Sequence, residues 1–244
     1  MPPDAIPLIA LDRISKTYVG GGGTTGVLRD VSFNIYPREF VSIMGPSGSG
    51  KSTLLNILGF LDHASSGTYR FGGHDVTRFS KDQMALLRAM KIGFVFQSFN
   101  LLPHLTVLEN VALPMIYNDA LPMRERRSRA LRCTEVVGLR HRADHPAMLL
   151  SGGEKQRAAI ARSIINNPDI IFADEPTGNL DSVAGRQVLA LFHELHNAGR
   201  TIVLITHETY TAQHAQRVIE VRDGTVTSDR PVEHRLSGSE LFLK

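Results

Sequence analysis

Gly45, Gly50, Lys51 and Ser52, within "IMGPSGSGKSTLLNILG", have the types and spacing of a phosphate loop, G-x-x-x-x-G-K-S/T. Gly45, Gly48 and Gly50 let the backbone take unusual dihedrals and approach a ligand closely. Pro46, Ser47, Ser49 and Thr53 belong to the same loop and helix start. Backbone N–H groups there point at the β- and γ-phosphates of a nucleotide. Lys51 would neutralise phosphate charge, and the Ser52 hydroxyl would ligate Mg2+. A nucleoside triphosphate is therefore expected, with its use left open.

Such a loop needs a second acidic site for Mg2+ and a group to orient the attacking water. "DIIFADEPTGNLD" (Asp169 to Asp181) supplies both at the end of an apolar run. Asp174 would emerge at the C-terminal sheet edge, where ligands bind in α/β folds, and is the Mg2+ candidate. Glu175 would point the other way along the strand and is the candidate for polarising water. In "LLSGGEKQRAAIARSI", Ser151, Gly152 and Gly153 form a turn into a helix, and Ser151 with Glu154 fits a capping box. Capping alone accounts for both residues. Two glycines in a first turn cost helix propensity, and are better explained by backbone donors approaching an anion.

These residues need a scaffold. "FVSIM" (Phe40 to Met44), "IGFVFQ", "DIIFAD" and "RTIVLITH" read as short buried strands. Helices are expected from Ser52, after Ser80 as a cap, over Ser151–Asn166 and over Ser182–Asn197. "LIALDRISKTYV" and "VLRDVSFNIY" read as strands flanking a loop tip at Gly20–Gly23, and "GTYRFGGHDV" as a hairpin. "AQRVIEVRDGTVT" closes with a hairpin at Asp223-Gly224, and the polar tail after Asp229 has no firm prediction. Leu108–Leu149 is helical in pattern, interrupted at Pro114, Pro122 and Pro146. The fold class is α/β: a phosphate-loop, RecA-like parallel-sheet core with an N-terminal antiparallel β-subdomain and an inserted α-helical subdomain. The boundaries fall at 1–97, 98–160, 161–229 and 230–244.

At 244 residues the chain buries a large core without staples. A single cysteine, Cys133, excludes an internal disulfide framework and reads as a small apolar helix residue. The formal charge of +3 is mild. The basic run "RERRSRALR" (Arg124 to Arg132) reads first as a solvated helix face, then as a patch for an anionic partner, and last as a nucleic-acid site. No apolar run reaches the roughly 18–20 residues that span a bilayer, and the N-terminus lacks the pattern of a signal peptide. Action on a membrane would then be from the cytoplasm and through a partner.

In combination and order, the phosphate loop, Gln97 in "FVFQSF", "LSGGEKQR", "IIFADEP", "GNLD" and His207 in "LITHE" resemble the nucleotide-binding subunits of ATP-binding-cassette transporters over most of the chain. The resemblance implies a role for each position. Tyr18 in "KTY" would stack on adenine, with a core or edge-strand tyrosine as the alternative. Gln97 would sense Mg2+ and the attacking water, and His207 would contact the γ-phosphate. Asp181 would couple two sites across a dimer, in which Ser151 and Gly153 of one copy cover the nucleotide on the other's Lys51. ATP and Mg2+ are the implied cofactors. A second copy and an integral-membrane permease are the implied partners, without nucleic acid, peripherally at the cytoplasmic face of the inner membrane. Glu154 and Lys155 depart from the commoner pattern, which predicts tuned rather than lost activity. A partial "LSGSE" at Leu236–Glu240 reads as chance.

"FVFQSFNLLPHLTVLENVALP" with "ADEPTGNLDS" is similar to one branch, that of lipoprotein release, macrolide or peptide export and cell division. Ser98–Leu105 would lie near the groove for the permease's cytoplasmic helix, although Phe99, Leu101, Leu102 and Leu105 fit a core equally well. The expected function is hydrolysis of MgATP by a dimer that drives a separate membrane protein. An importer ATPase and a non-transport nucleotide switch in cell-wall or division control are the rivals. Soluble relatives acting on DNA or ribosomes are a weaker one.

Overall fold

A computed structural model describes residues 5–21, 23–118 and 122–236. In chain order its elements begin with β1 (Ile9–Gly20), β2 (Gly23–Ile35), β3 (Phe40–Met44), α1 (Lys51–Leu58), β4 (Ser66–Phe71), β5 (His74–Asp75) and α2 (Lys81–Lys91). There follow β6 (Ile92–Phe96), α3 (Val107–Ala112), α4 (Met123–Val136), α5 (Gly152–Ile164), β7 (Ile170–Asp174) and α6 (Ser182–Asn197). The last are β8 (Thr201–Thr206), α7 (Thr209–Ala212), β9 (Arg217–Arg222) and β10 (Thr225–Pro231). They form two compact units, one of residues up to Ala85 with Gly199–Leu236, the other of Leu86–Ala198.

In the first unit, β1 pairs antiparallel with β2 and β4, and β4 with β5, giving the expected antiparallel sheet. A second sheet is built on β3, which runs parallel to β8 on one side and β9 on the other. Every residue of β8 is buried, as are Phe40, Val41 and Ile43. Continuous apolar runs of this kind are what strands covered on both faces require. The final hairpin turns at Asp223-Gly224, and β10 carries the pairing past Asp229 to Pro231, opposite Arg217. Of the expected loop tip at Gly20–Gly23, Gly22 lies outside the described residues, as does most of the "LSGSE" segment.

Arg217 pins this unit. Its guanidinium donates to Glu39 Oε1 at 2.6 Å, to Asp229 Oδ2 at 2.9 Å and to the Asn34 carbonyl at 2.8 Å. Burial opposes its charge, but the two carboxylates outweigh it and hold the pKa above the ordinary arginine value. The Glu39 side chain is only 7% exposed, so without Arg217 its carboxylate keeps little beyond the Tyr36 N–H, at 2.9 Å. Arg217→Met is expected to cost about 3 kcal/mol in urea unfolding, and adding Glu39→Gln to restore part of it.

In the second unit, β6 and β7 run parallel, with α5 packed on β6 and α3, α4 and α6 around α5. The prolines act as expected. Pro114 opens a 3-10 turn over Leu113–Tyr117, while Pro122 and Pro146 stand just before α4 and a short 3-10 turn at Ala147–Leu149. Thr106 and Glu109 close a capping box on α3. The basic run on α4 is less free than a solvated face. Arg129 donates to the Ile165 carbonyl at 2.6 Å, Arg126 to the Asn118 carbonyl at 3.3 Å, and Arg127 pairs with Asp144 at 3.4 Å. Among the described residues no helix is long and apolar enough to cross a membrane.

Candidate active site

The phosphate loop leaves the C-terminal end of β3 and enters α1. Gly45 is required by close approach, because a Cβ there would lie 2.1 Å from the Val221 carbonyl oxygen. Gly50 caps α1 with φ 100°, in the left-handed region, and no side chain caps the helix's first N–H groups. Pro46, Ser47, Gly48 and Ser52 are exposed, Gly45, Gly50 and Thr53 half-buried, and Ser49 and Lys51 buried. Lys51 Nζ donates to the carbonyls of Gly45 at 2.7 Å and Pro46 at 2.8 Å, so the ammonium lies along the loop. Ser49 Oγ is buried without a hydrogen-bond partner. An orphaned hydroxyl, uncapped helix N–H groups and a loop ammonium are together a donor set for an anion with several oxygens.

Strand register brings His207 to the same edge. Met44 is opposite Thr206 in the parallel β3–β8 pair, so Gly45 and His207 emerge side by side. Gly45, Pro46 and the exposed His207 line a 580 Å³ cavity with Glu220, Arg222 and Thr227.

Tyr18, on β1, is 42% exposed, which excludes the core-tyrosine alternative. Its hydroxyl donates to Asp62 Oδ2 at 2.9 Å, and Lys16 Nζ sits 4.7 Å from the ring centroid while pairing with Asp62 at 2.8 Å. Burial first, and then the Asp62 carboxylate, raise the phenol pKa; the Thr53 side chain opposes the rise. Burial works against the Asp62 charge, but hydrogen bonds from Lys16, Tyr18 and the His63 N–H outweigh it and keep the carboxyl below its ordinary value. Asp62 and Lys16 thus fix the ring. No sequence motif pointed to either.

In the second unit the same register logic holds. Phe96 is opposite Asp174 in the parallel β6–β7 pair, so Gln97 and Glu175 leave the sheet together. Asp174 ends β7 and is half-buried, as is Glu175. Glu175 has φ 44°, a left-handed conformation unusual outside glycine. Simple strand alternation therefore does not set its direction. Gln97 is exposed, and Asn179 holds it twice: Gln97 Nε2 donates to Asn179 Oδ1 at 3.4 Å, and Asn179 Nδ2 to the Gln97 carbonyl at 3.0 Å. Gln156, fully buried on α5, donates to the Pro176 carbonyl at 2.8 Å and steadies the turn after Glu175.

Ser151 caps α5, accepting from the Glu154 N–H at 3.3 Å while Glu154 Oε2 accepts from the Ser151 N–H at 2.9 Å. That backbone N–H is the main reason the Glu154 carboxyl is held below its ordinary value; burial opposes it, and Ser151 Oγ and Arg142, 3.2 Å away, assist. The two glycines pack differently. A Cβ at Gly153 would come 2.9 Å from Ala184 Cβ, so close packing on α6 is a further reason for that glycine, beside the approach of an anion. Gly152 meets only an ordinary contact, 3.5 Å from Leu180. Ser151, Gly152, Gly153 and Asp181 share an open cavity of 730 Å³ with Asn179 and Arg157. Asp181 is the N-cap of α6, its Oδ1 accepting from the N–H groups of Val183 and Ala184 at 2.9 and 2.8 Å.

The sequence profile of the ABC transporter family matches residues 28–178, more than half of the chain. The chain belongs to that family. It is 48% identical over 222 residues to the ABC transporter ATP-binding protein YvrO of Bacillus subtilis (strain 168), covering 91% of this chain and 96% of YvrO. It is 47% identical over 223 residues to the macrolide export ATP-binding/permease protein MacB of Sodalis glossinidius, covering 91% of this chain and 34% of MacB. The chain thus spans about a third of the length of the MacB relatives it matches. Among solved structures it is similar to the dimeric post-hydrolysis state of the ATP-binding cassette MJ0796 bound to ADP and Pi, with TM-score 0.84 and 44% identity, covering 92% of this chain and 99% of that one. The family read from the motifs and the α/β cassette fold are borne out.

Proposed function

We propose that this chain is the MgATP-hydrolysing subunit of an export-type ABC transporter, working as a dimer that closes around two nucleotides and drives a membrane permease. The observation that carries the reading is the loop of Gly45–Lys51, with its orphaned Ser49 hydroxyl and its buried ammonium, in a chain 44% identical to a cassette solved with ADP and Pi. Export is supported by relatives named for macrolide export and, at 49% identity over 232 residues, for pyoverdine export in Pseudomonas aeruginosa. The subdivision follows that reading: core parts at 1–97 and 161–229, a helical signature subdomain at 98–160 and a tail at 230–244.

In this reading Lys51 and the loop N–H groups hold the phosphates, and Tyr18 offers one ring face to the base, Lys16 lying against the ring. Ser52 and Asp174 would hold Mg2+, which when bound neutralises phosphate charge. Hydroxyl and carboxylate oxygens suit that hard cation, and among the described residues no cluster of three or more His, Cys, Asp or Glu offers a dedicated metal cage. Glu175 accepts the proton of the attacking water, His207 donates to the γ-phosphate, and Gln97 reports its presence. Ser151, Gly152 and Gly153 of a second copy complete the site, and Asp181 couples the two. Phe99, Leu101 and Leu105 are half-buried and Leu102 is 49% exposed, so that segment is no closed core and is open to a partner helix. Such a subunit would lie peripherally at the cytoplasmic membrane face.

The test is the association state of Glu175→Gln by light scattering. A monomer without nucleotide and a dimer with MgATP are expected, the dimer being lost on adding Ser151→Arg. A monomer under both conditions, with ATP bound, would overturn closure around nucleotide. Tyr18→Ala is expected to weaken binding of a fluorescent ATP analogue by about 5–150-fold, the equivalent of roughly 1–3 kcal/mol of stacking, while Tyr18→Phe stays near wild type.

A further inference from the structure

The turn after Gln97 is held in an unusual way. Phe99 and Asn100 are consecutive residues in the left-handed region, at φ 62° and 50°, and neither is glycine. Such a pair persists only where the surroundings over-determine it. Within the turn the Phe99 N–H donates to the Phe96 carbonyl and Ser98 Oγ to Asn100 Oδ1; from outside it Arg162 holds the turn, its Nη2 donating to the Phe99 carbonyl at 2.8 Å and its Nη1 to the Asn100 carbonyl. Among the described residues the guanidinium forms no ion pair with a carboxylate, and burial alone lowers its pKa below the ordinary arginine value. A half-buried charge is thus committed to two turn carbonyls.

Arg162 stands on α5, the helix whose first turn carries Ser151, roughly 16 Å away at 1.5 Å per residue. That helix is seated hard on β6: a Cβ at Gly93 would lie 2.4 Å from the carbonyl oxygen of Ser163, the residue after Arg162. The fork of one guanidinium therefore fixes the turn that begins two residues after Gln97 to the rigid body that presents Ser151. A lysine ammonium is one nitrogen on a flexible stem, without the planar fork, and would hold the two carbonyls less rigidly.

We infer that Arg162 is a positioning residue for hydrolysis, holding the Phe99–Asn100 turn so that Gln97 is presented in register with the Ser151 end of α5. This rests on the role proposed above for Gln97. Misplacement of a catalytic group by about 1 Å lowers turnover by up to about 100-fold. Arg162→Ala in the full chain is expected to lower kcat about 10- to 100-fold, with the Kd for MgATP within about twofold of wild type. Arg162→Lys should fall between, and carries the test if the alanine variant fails to fold. The double variant with Gln97→Ala should be no slower than Gln97→Ala alone, a non-additivity that loss of packing would not produce. Wild-type kcat in both Arg162 variants, or losses that multiply with Gln97→Ala, would overturn the inference. Should Gln97→Ala itself keep wild-type kcat, the reading of Gln97 falls and this inference with it. Hydrogen exchange at the Phe99 and Asn100 amides then still measures the tie: faster exchange in Arg162→Ala would show that Arg162 holds the turn for another purpose.

Discussion

Glu175→Gln is expected to lower the rate of ATP hydrolysis by about 10²–10⁴-fold while MgATP continues to bind. Glutamine keeps the length and shape of the side chain, so the left-handed backbone at Glu175, with φ 44°, and the adjoining Pro176 turn held by Gln156 are undisturbed. What disappears is a carboxylate able to take a proton. Asp174, the preceding residue, still ends β7 and, in the proposed reading, would still offer oxygen to Mg2+. The two acidic residues therefore predict different losses. Asp174→Asn should weaken the dependence of binding on Mg2+, whereas Glu175→Gln should leave it intact and slow turnover alone. Single-turnover hydrolysis together with nucleotide titration at several Mg2+ concentrations separates them. A Glu175→Gln chain hydrolysing within tenfold of wild type would assign proton acceptance elsewhere.

The second large effect is at Lys51. Its ammonium is buried, with the Gly45 and Pro46 carbonyls as partners, and desolvating a charge offsets much of what those two hydrogen bonds contribute. Lys51→Met should therefore leave the thermal stability of the nucleotide-free protein within about 1 kcal/mol of wild type. Nucleotide binding should suffer heavily, by about 10²-fold or more, because the charge facing the phosphates is gone. The sharper readout is linkage: ATP at about 100 times Kd stabilises a protein that binds it by roughly 2.7 kcal/mol, and that increment should vanish in the variant. A variant that still gains stability from MgATP would mean that the loop amides suffice for binding.

Much of this was readable from residue order alone. The strand–loop–helix around Lys51, the Ser151 capping box and the limits of α6 follow from apolar period, glycine placement and cap chemistry, all of which act over a few residues. The family motifs then named Gln97, Asp174, Glu175, Asp181 and His207. Residues whose role depends on partners distant in sequence were invisible. Asp62 matters because it receives the Tyr18 hydroxyl 44 residues away, and Asn179 because it grips Gln97 82 residues away. Arg162 belongs to no motif, and its two carbonyl partners lie 62 and 63 residues away. Gly153 is a related case: its packing against the facing Ala184 leaves no trace in the local sequence.

The placement of the phosphate loop also sets when it can exist. Its strand, β3, is flanked by β8 and β9, and the tightest contact of Gly45 is with the carbonyl of Val221, while the Gly224 N–H donates to the Ser49 carbonyl. Both partners of the loop are thus made more than 170 residues after Gly45. At ribosomal speeds of about 5–20 residues per second, the interval between Gly45 and Val221 is on the order of ten seconds or more. During that time "GPSGSGKS" lacks the strands that shape it. A nascent chain is therefore expected to acquire nucleotide only after Val221 and Gly224 have left the ribosome, with every earlier intermediate blind to ATP.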